Sequence, residues 1–383
     1  MTRWPDGALS SPLTGRTLRA DTPHSIAVGP ERWPVVADIP FLRADRRALA
    51  DAALAALDAG NAEHALVLLL GDQDNWARTP PSSEADRAAL VREAGALSFR
   101  AAMDRLAFGA VGTYFAHRWS DPTFLSGLAL AEAHWNVPAC VFELACGAGH
   151  YLREFARVAP AVAGADIVFA KLWLARRYLA PASRLVCFDA AVAWPLASGF
   201  ADLVFCHDAF YFLPEKPHVA AEMLRVAGPA GRVLVGHAHN ALVDNLSAGE
   251  PLPPAGYAAL FGTPLLYDDR ELTQALIEGR APVPGTAAMI ADAPAVALAT
   301  GSAAPRPVSG GLAMPSAGTM LRRNPLYAGP AIEWPSERYR REYGPLATYP
   351  TQADAPEWAV AGADAATDHL ARRRVLLDLP QQW

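Results

Sequence analysis

The chain has 383 residues, a formal net charge of −6 and an apolar fraction of 52%. That length supplies two or more domains and an ample core, yet no unbroken apolar run approaches the ~20 residues needed to cross a bilayer. The acidic balance has no compensating basic block, which argues against a nucleic-acid partner.

Taken in order, the start Met1-Thr2-Arg3-Trp4-Pro5-Asp6 lacks the apolar run of a secretory signal, so a cytoplasmic location is expected. Ser11 to Leu18 and Arg32 to Leu42 read as a small β-ribbon module over residues 1–43, with Trp33, Val35, Ile39 and Phe41 as its packing side chains. Residues 44–110 read as a helical insert, with helices over Ala44 to Asp58, Glu63 to Leu70 and Glu84 to Leu106. The polar loop Gly71 to Pro81 lies between them, and its Asp72, Asp74 and Asn75 do not have calcium-loop spacing. Tyr114 to Pro122 then precedes a helix predicted over Thr123 to His134.

Val141 to Phe155, VFELACGAGHYLREF, is the most informative stretch: a buried strand, a tight glycine turn and an amphipathic helix. A second strand, Ala161 to Ala165, ends in Asp166, nineteen positions after Gly147 and near the roughly 20-residue offset at which a carboxylate meets a ribose. A dinucleotide fingerprint would need a third glycine where Leu152 stands, so a nicotinamide dehydrogenase is disfavoured. Further strands are predicted at Arg184 to Phe188, before Asp189-Ala190, at Ala201 to Cys206 and at Val233 to His237; a helix over Val219 to Val226 and the turn Gly228 to Arg232 precede the last. Then come Pro264 to Tyr267, a helix over Asp269 to Glu278, the strand Ala295 to Ala299, and a Gly/Pro-rich connector, Gly301 to Gly311. The aromatic and arginine density from Asn324 to Gly344 reads as a folded appendage or lid, and Asp364 to Leu377 as a terminal helix. Cys140, Cys146, Cys187 and Cys206 contain no Cys-x-x-Cys pair and fall on or beside predicted strands, so neither a disulfide framework nor a metal site is assigned.

The form Glu143-x-x-Cys146-Gly147-x-Gly149 resembles motif I of the class I S-adenosylmethionine (SAM)-dependent methyltransferases. Asp189-Ala190, the approach Trp194-Pro195-Leu196 to Cys206, and the run Glu222-Met223-Leu224-Arg225-Val226 to Val235 resemble later landmarks of that family, in its order. The resemblance covers about Tyr114 to Asn240, with a weaker tail to Thr300. It implies an α/β fold with a Rossmann-like sheet and helices on both faces, a methyltransferase domain over residues 111–300 and a carboxyl-terminal extension over 301–383. It also implies SAM as cofactor, with Tyr114, Glu143, Ala145, Gly147 and Gly149 near the methionine portion, Asp166 at the ribose, Asp189 with Ala190 at the adenine, and His207 beside it. The first 43 residues resemble a zinc-ribbon-like module that precedes some methyltransferase domains, but Ser11 and Thr14 stand where its first cysteines would be. That module would therefore hold by packing, as a partner platform or as support for the following helices.

His207, Asp208, Tyr211, His237, His239 and Asn240 all fall at the carboxyl ends of two strands, where open α/β sheets hold ligands. Removing an acceptor proton suits an imidazole near neutral pH, so His207 and His239 are the catalytic candidates. Arg118, Asp208, Tyr211, His237 and Asn240 are the substrate-binding candidates, with no metal assigned. We read the chain as a SAM-dependent methyltransferase acting on oxygen or nitrogen of a small molecule, compatible with a homodimer and with no membrane contact. The alternatives are a protein or RNA methyltransferase, and a SAM-binding scaffold without catalysis.

Overall fold

The computed structural model describes residues 3–77 and 79–383; Met1 and Thr2 of the predicted start and Arg78 of the predicted loop lie outside the described residues. The chain opens with an antiparallel sheet of β1 (Arg19–Thr22), β2 (Ser25–Val28), β3 (Glu31–Val36) and β4 (Ile39–Pro40) in that order. Its turn from Ser11 to Gly15 is closed by hydrogen bonds. Ser11 Oγ accepts the N–H groups of Leu13 and Thr14, both at 3.0 Å, and donates to Glu31 Oε1 at 2.6 Å. The indole N–H of buried Trp33 reaches the same carboxylate oxygen.

Helices α1 (Arg47–Asp58), α2 (Ala62–Leu69), α3 (Glu84–Glu93), α4 (Phe99–Arg105), α5 (Gly109–His117) and α6 (Pro122–Ala133) follow. The single helix expected over Glu84 to Leu106 is two. The chain turns after α3, and Ser98 caps α4 by accepting the Ala101 N–H. Tyr114 lies on α5, a helix that the sequence reading did not separate from the segment before α6.

The central sheet comprises β5 (Cys140–Leu144), β6 (Ala161–Asp166), β7 (Arg184–Cys187), β8 (Leu203–His207), β9 (Arg232–His239), β10 (Leu265–Asp268) and β11 (Ala295–Ala299), ordered β10-β11-β9-β8-β5-β6-β7. β5 to β9 pair in parallel, and only β11 runs against its neighbours. The alanine- and valine-rich runs of these strands have both faces covered, by α7 (His150–Phe155), α8 (Phe169–Leu174), α9 (Lys216–Ala227), α10 (Pro254–Leu260) and α11 (Asp269–Glu278) together with α6. Strand order reverses at β5, which puts the glycine turn at the sheet's switch point.

The amino-terminal module covers the β7 edge. Phe41 bridges Cys187 in parallel, Leu42 N donates to Cys187 O at 2.7 Å, and Trp4 Nε1 donates to Leu185 O at 2.9 Å. An open edge would otherwise present unpaired N–H and C=O groups to other chains.

After β11 the chain forms β12 (Met320–Arg323), β13 (Tyr327–Ala328), β14 (Ala331–Ile332), α12 (Glu337–Tyr343), β15 (Trp358–Val360), α13 (Ala365–Arg372) and β16 (Leu376–Leu377). The terminal helix expected to reach Leu377 stops at Arg372. Arg374 takes φ +59°, and Leu376–Leu377 turn back to pair with β12. No helix among the described residues is long and apolar enough to cross a membrane.

Ser11→Ala should lower stability by about 1–2 kcal/mol, because it removes a buried acceptor of two N–H groups and the donor to Glu31. Equilibrium urea unfolding reads this, and an unchanged midpoint would show that packing alone holds the turn.

Candidate active site

The glycine turn between β5 and α7 follows from local backbone demands. Gly147 and Gly149 adopt φ +54° and +87°, which only glycine takes without strain. Ala145 shares the left-handed region at φ +53°, at a cost of roughly 1–2 kcal/mol that the surrounding packing must offset. Glu143 is buried on β5; its Oε2 has no hydrogen-bond partner, and burial raises its carboxyl pKa well above the usual range. A buried carboxylate oxygen without a donor is a vacancy suited to a cationic or N–H group.

Asp166 ends β6 beneath this turn. Its Oδ2 accepts the Gly147 N–H at 3.0 Å, its Oδ1 accepts the Val168 N–H at 2.9 Å, and Lys171 Nζ lies 3.7 Å away. A carboxylate offers about four acceptor positions, so two remain for hydroxyl donors. Asp189, after β7, accepts the Ala191 N–H through Oδ1, and Ala190 O accepts the Trp194 indole N–H. The loop after α2 reaches this strip: Asp74 Oδ2 lies 3.5 Å from Lys171 Nζ, and Trp76 packs edge-on against Phe212 at 5.4 Å.

One strand over, the Asp208 carboxylate gathers a second group. Tyr114 Oη donates to its Oδ2 at 2.6 Å, Tyr211 Oη donates to Oδ1 at 2.9 Å, and Arg118 Nη1 lies 3.5 Å from Oδ2. Arg118 is itself buried and held by Asp121 at 2.9 Å and by Thr123 Oγ1. Burial opposes the charge on Asp208, yet His237 and Arg118 hold its pKa well below the usual carboxylate range. Burial also raises Asp121, to about 6.

β9 slips register against β11 between Val235 and Ala238, and His237 takes φ +47° at this bulge. His237 Nδ1 meets Asp269 Oδ2 at 2.9 Å, and Asp269 Oδ1 accepts the Ser126 hydroxyl at 2.8 Å. Burial works against a charged His237, but Asp269 and Asp208 raise its pKa to about 9. His239 stacks on Tyr211, with ring centroids 3.9 Å apart, and burial lowers it to about 4.

His207 is packed behind this group, against Phe205 and Tyr151, and neither ring nitrogen has a partner. Burial lowers it to about 3, so it is neutral. Its ring demands glycine at 236, where a Cβ would fall 2.3 Å from Nδ1. A roof closes over the cluster from the carboxyl-terminal region. Tyr343 of α12 stacks on Tyr114 at 6.4 Å, Tyr339 Oη donates to His117 O at 3.3 Å, and Ser247 Oγ donates to Glu342 at 3.2 Å.

Of the residues singled out from sequence, Tyr114, Asp208, Tyr211, His237 and His239 therefore converge on one cluster, and Glu143, Ala145, Gly147, Gly149 and Asp166 on the adjacent turn. Arg118 reaches the cluster through Asp208 and through the Tyr114 ring, whose centroid is 4.9 Å from its guanidinium carbon. Asn240 is not brought in: its amide donates to Ala291 O and Ala293 O and accepts from Leu242 N. Sequence reasoning missed Asp269, Asp121, Ser126, Lys171 and Tyr343. Asp269 read only as the start of a helix, and nothing local marks its pairing with a strand thirty-two positions earlier.

Residues 142–235 match the family described as Methyltransferase domain. This part of the chain is a SAM-dependent methyltransferase domain of the class I fold, and its cofactor is S-adenosylmethionine. The orphaned Glu143 oxygen and the spare acceptor positions on Asp166 fit that cofactor's ammonium and ribose hydroxyls. Among solved structures, the chain is similar to a candidate methyltransferase from Bacillus halodurans, at 18% identity and TM-score 0.32, over 36% of this chain and 66% of that one. It is similar to SAM-bound CalS10, an amino pentose methyltransferase from Micromonospora echinaspora involved in calicheamicin biosynthesis, at 26% identity and TM-score 0.28, over 33% and 55% of the two chains. The YcgJ protein of Bacillus subtilis aligns at 17% identity and TM-score 0.30, over 39% and 75%. The chain thus spans just under two thirds of the first of these proteins and about half of the second. No curated protein matches it.

Because its pKa is raised from 6.5 to about 9, His237 contributes stability that is full below pH 6.5 and lost as pH rises through 9. In metal-free buffer, stability should fall by on the order of 3 kcal/mol across that window. Asp269→Asn should flatten the profile; an equal slope in both proteins would place the titration elsewhere.

Proposed function

We propose that the protein transfers the SAM methyl group to an oxygen or nitrogen of a small-molecule acceptor bound against the Asp208–His237–His239 cluster. The supporting observation is enclosure. Asp208, Tyr211, His237 and His239 are largely withdrawn from solvent, and α12 lies over them through Tyr343 and Tyr114. A folded protein or an RNA strand would have to displace that roof to reach the cluster, whereas a small molecule needs only a local opening.

In this reading the cofactor supplies an activated methyl on a sulfonium, so the protein's task is chiefly positioning. Glu143 would take the methionine ammonium, Asp166 the ribose hydroxyls, and Asp189 with Ala190 the adenine edge. Gly147 and Gly149 let the cofactor approach the turn. Tyr114 and Tyr211 would fix Asp208, and His239, neutral and stacked, would receive the acceptor's proton. His207 would act as a neutral packing element that sets the width of the site rather than as a base, since both its nitrogens are walled off.

Calorimetric titration with SAM and S-adenosylhomocysteine should give micromolar binding, and Asp166→Ala should weaken it about 10- to 100-fold by removing hydrogen bonds to a charged group. Unchanged affinity would refute the ribose assignment, and no binding by the wild type would refute the cofactor site. His239→Ala should lower turnover at least tenfold while sparing SAM affinity; equal loss of both would mark His239 as structural.

A further inference from the structure

We propose that Asp208, His237 and His239 form a binding site for one divalent first-row transition-metal ion, which holds the acceptor's oxygen beside the methyl donor. One donor atom from each residue lies within 4.8 Å of the other two. Atoms bound about 2.1 Å from a common ion stand roughly 3–4 Å apart, so a contraction of at most about 1–2 Å brings the three onto one ion. Two imidazoles and one carboxylate suit zinc, cobalt, nickel or ferrous iron and are poor for magnesium or calcium.

The surroundings are those of a supported metal site. His237 uses Nδ1 on Asp269, which fixes the ring and leaves Nε2 as the ligand atom, and Ser126 in turn holds Asp269. Tyr114 and Tyr211 each donate to one Asp208 oxygen and leave a lone pair on each. His239 is buried, fixed by stacking on Tyr211, and neither of its ring nitrogens has a hydrogen-bond partner among the described residues.

Two of the three residues, Asp208 and His237, hold left-handed backbone conformations, φ +55° and +47°, at a strand end and a bulge. Such strain in non-glycine residues concentrates at functional sites. Charge points the same way. Asp121 and Asp208 share one guanidinium, that of Arg118, and Asp269 pairs with His237. Once His237 gives up its proton to ligate, three carboxylates stand against one guanidinium, an excess of two negative charges that one divalent ion would balance.

The binding stands apart from the methyl-transfer reading, and only the ion's role rests on it. With three protein ligands the ion keeps open positions for an acceptor hydroxyl and acts as a Lewis acid on it. With His239 engaged on the ion, the hydroxyl proton leaves to water instead of to that imidazole, and the oxygen lone pair attacks the methyl carbon. The C–S bond breaks with its electrons remaining on sulfur, giving a methyl ether and S-adenosylhomocysteine. This favours a hydroxylated acceptor over an amine, because a nitrogen bound to the ion has no lone pair left to attack the methyl, whereas an oxygen keeps one.

The test uses full-length protein stripped with chelator and titrated with Co²⁺, followed by its visible d–d absorption, with Zn²⁺ in competition. One Co²⁺ per chain should bind and be displaced by Zn²⁺. His239→Ala and Asp208→Asn should weaken binding at least 100-fold, and Asp269→Asn about 10- to 100-fold, as expected for loss of an outer partner. Thermal melts of each variant confirm that it is folded, and SAM binding is measured on the same samples. Absent Co²⁺ binding by the wild type, or binding that folded His239→Ala retains unchanged, would overturn the site. SAM binding without Co²⁺ binding defeats only the metal, and Co²⁺ binding without SAM binding defeats only the transferase reading.

Discussion

The structure depends on one carboxylate kept out of water. Asp208 sits at the end of a central strand with its charge retained, and an unpaired charge there would cost several kcal/mol. Its neutralising partners come from everywhere: Tyr114 from α5, Arg118 from the turn before α6, Tyr211 from beyond β8, and His237 from β9. Satisfying one charge therefore fixes the mutual placement of four segments. Arg118 needs Asp121 and His237 needs Asp269, so the requirement passes outward to the caps of α6 and α11.

The cofactor side is built on another principle. There the demands are steric and local, a turn that two glycines can make and a carboxylate whose oxygens staple the turn to the next strand. The two sides meet across β5 and β8, where Glu143 is buried and Asp208 is 10% exposed; one is driven toward its neutral form and the other held ionised. Opposite outcomes for two nearby carboxylates follow from their partners, since Asp208 has two phenols and a guanidinium while one Glu143 oxygen has none.

The additions to the sheet have distinct physical tasks. The amino-terminal module closes its turn with Ser11, Glu31 and Trp33, then caps the β7 edge through Phe41 and Leu42. The carboxyl-terminal region contributes a tyrosine-rich face whose Tyr343 meets Tyr114, and it is anchored by buried Asn324, which accepts from Ser120. The loop after α2 touches the cofactor strip through Asp74 and Trp76. Between them these three pieces surround the carboxyl edge of the sheet.

Alternating and continuous apolar runs and the glycine spacing sufficed to read β5 to β9, β11 and the switch-point turn from sequence, because each is decided by contacts within a few residues. The break between α3 and α4 and the early end of α13 were missed, since a serine cap and a residue at φ +59° outweigh helical composition. The cluster around Asp208 was half legible. His207, Asp208, His237 and His239 were placed at the right edge, but whether a histidine is charged, neutral or ligating depends on what packs against it. Asp269 makes His237 cationic, the closure of Phe205 and Tyr151 around His207 keeps that ring neutral, and three backbone groups occupy the amide of Asn240. Sequence alone determined the fold and the cofactor, which rest on short-range geometry. Tertiary structure decided the chemistry of the Asp208 cluster, because protonation is set by neighbours distant along the chain and by the exclusion of water.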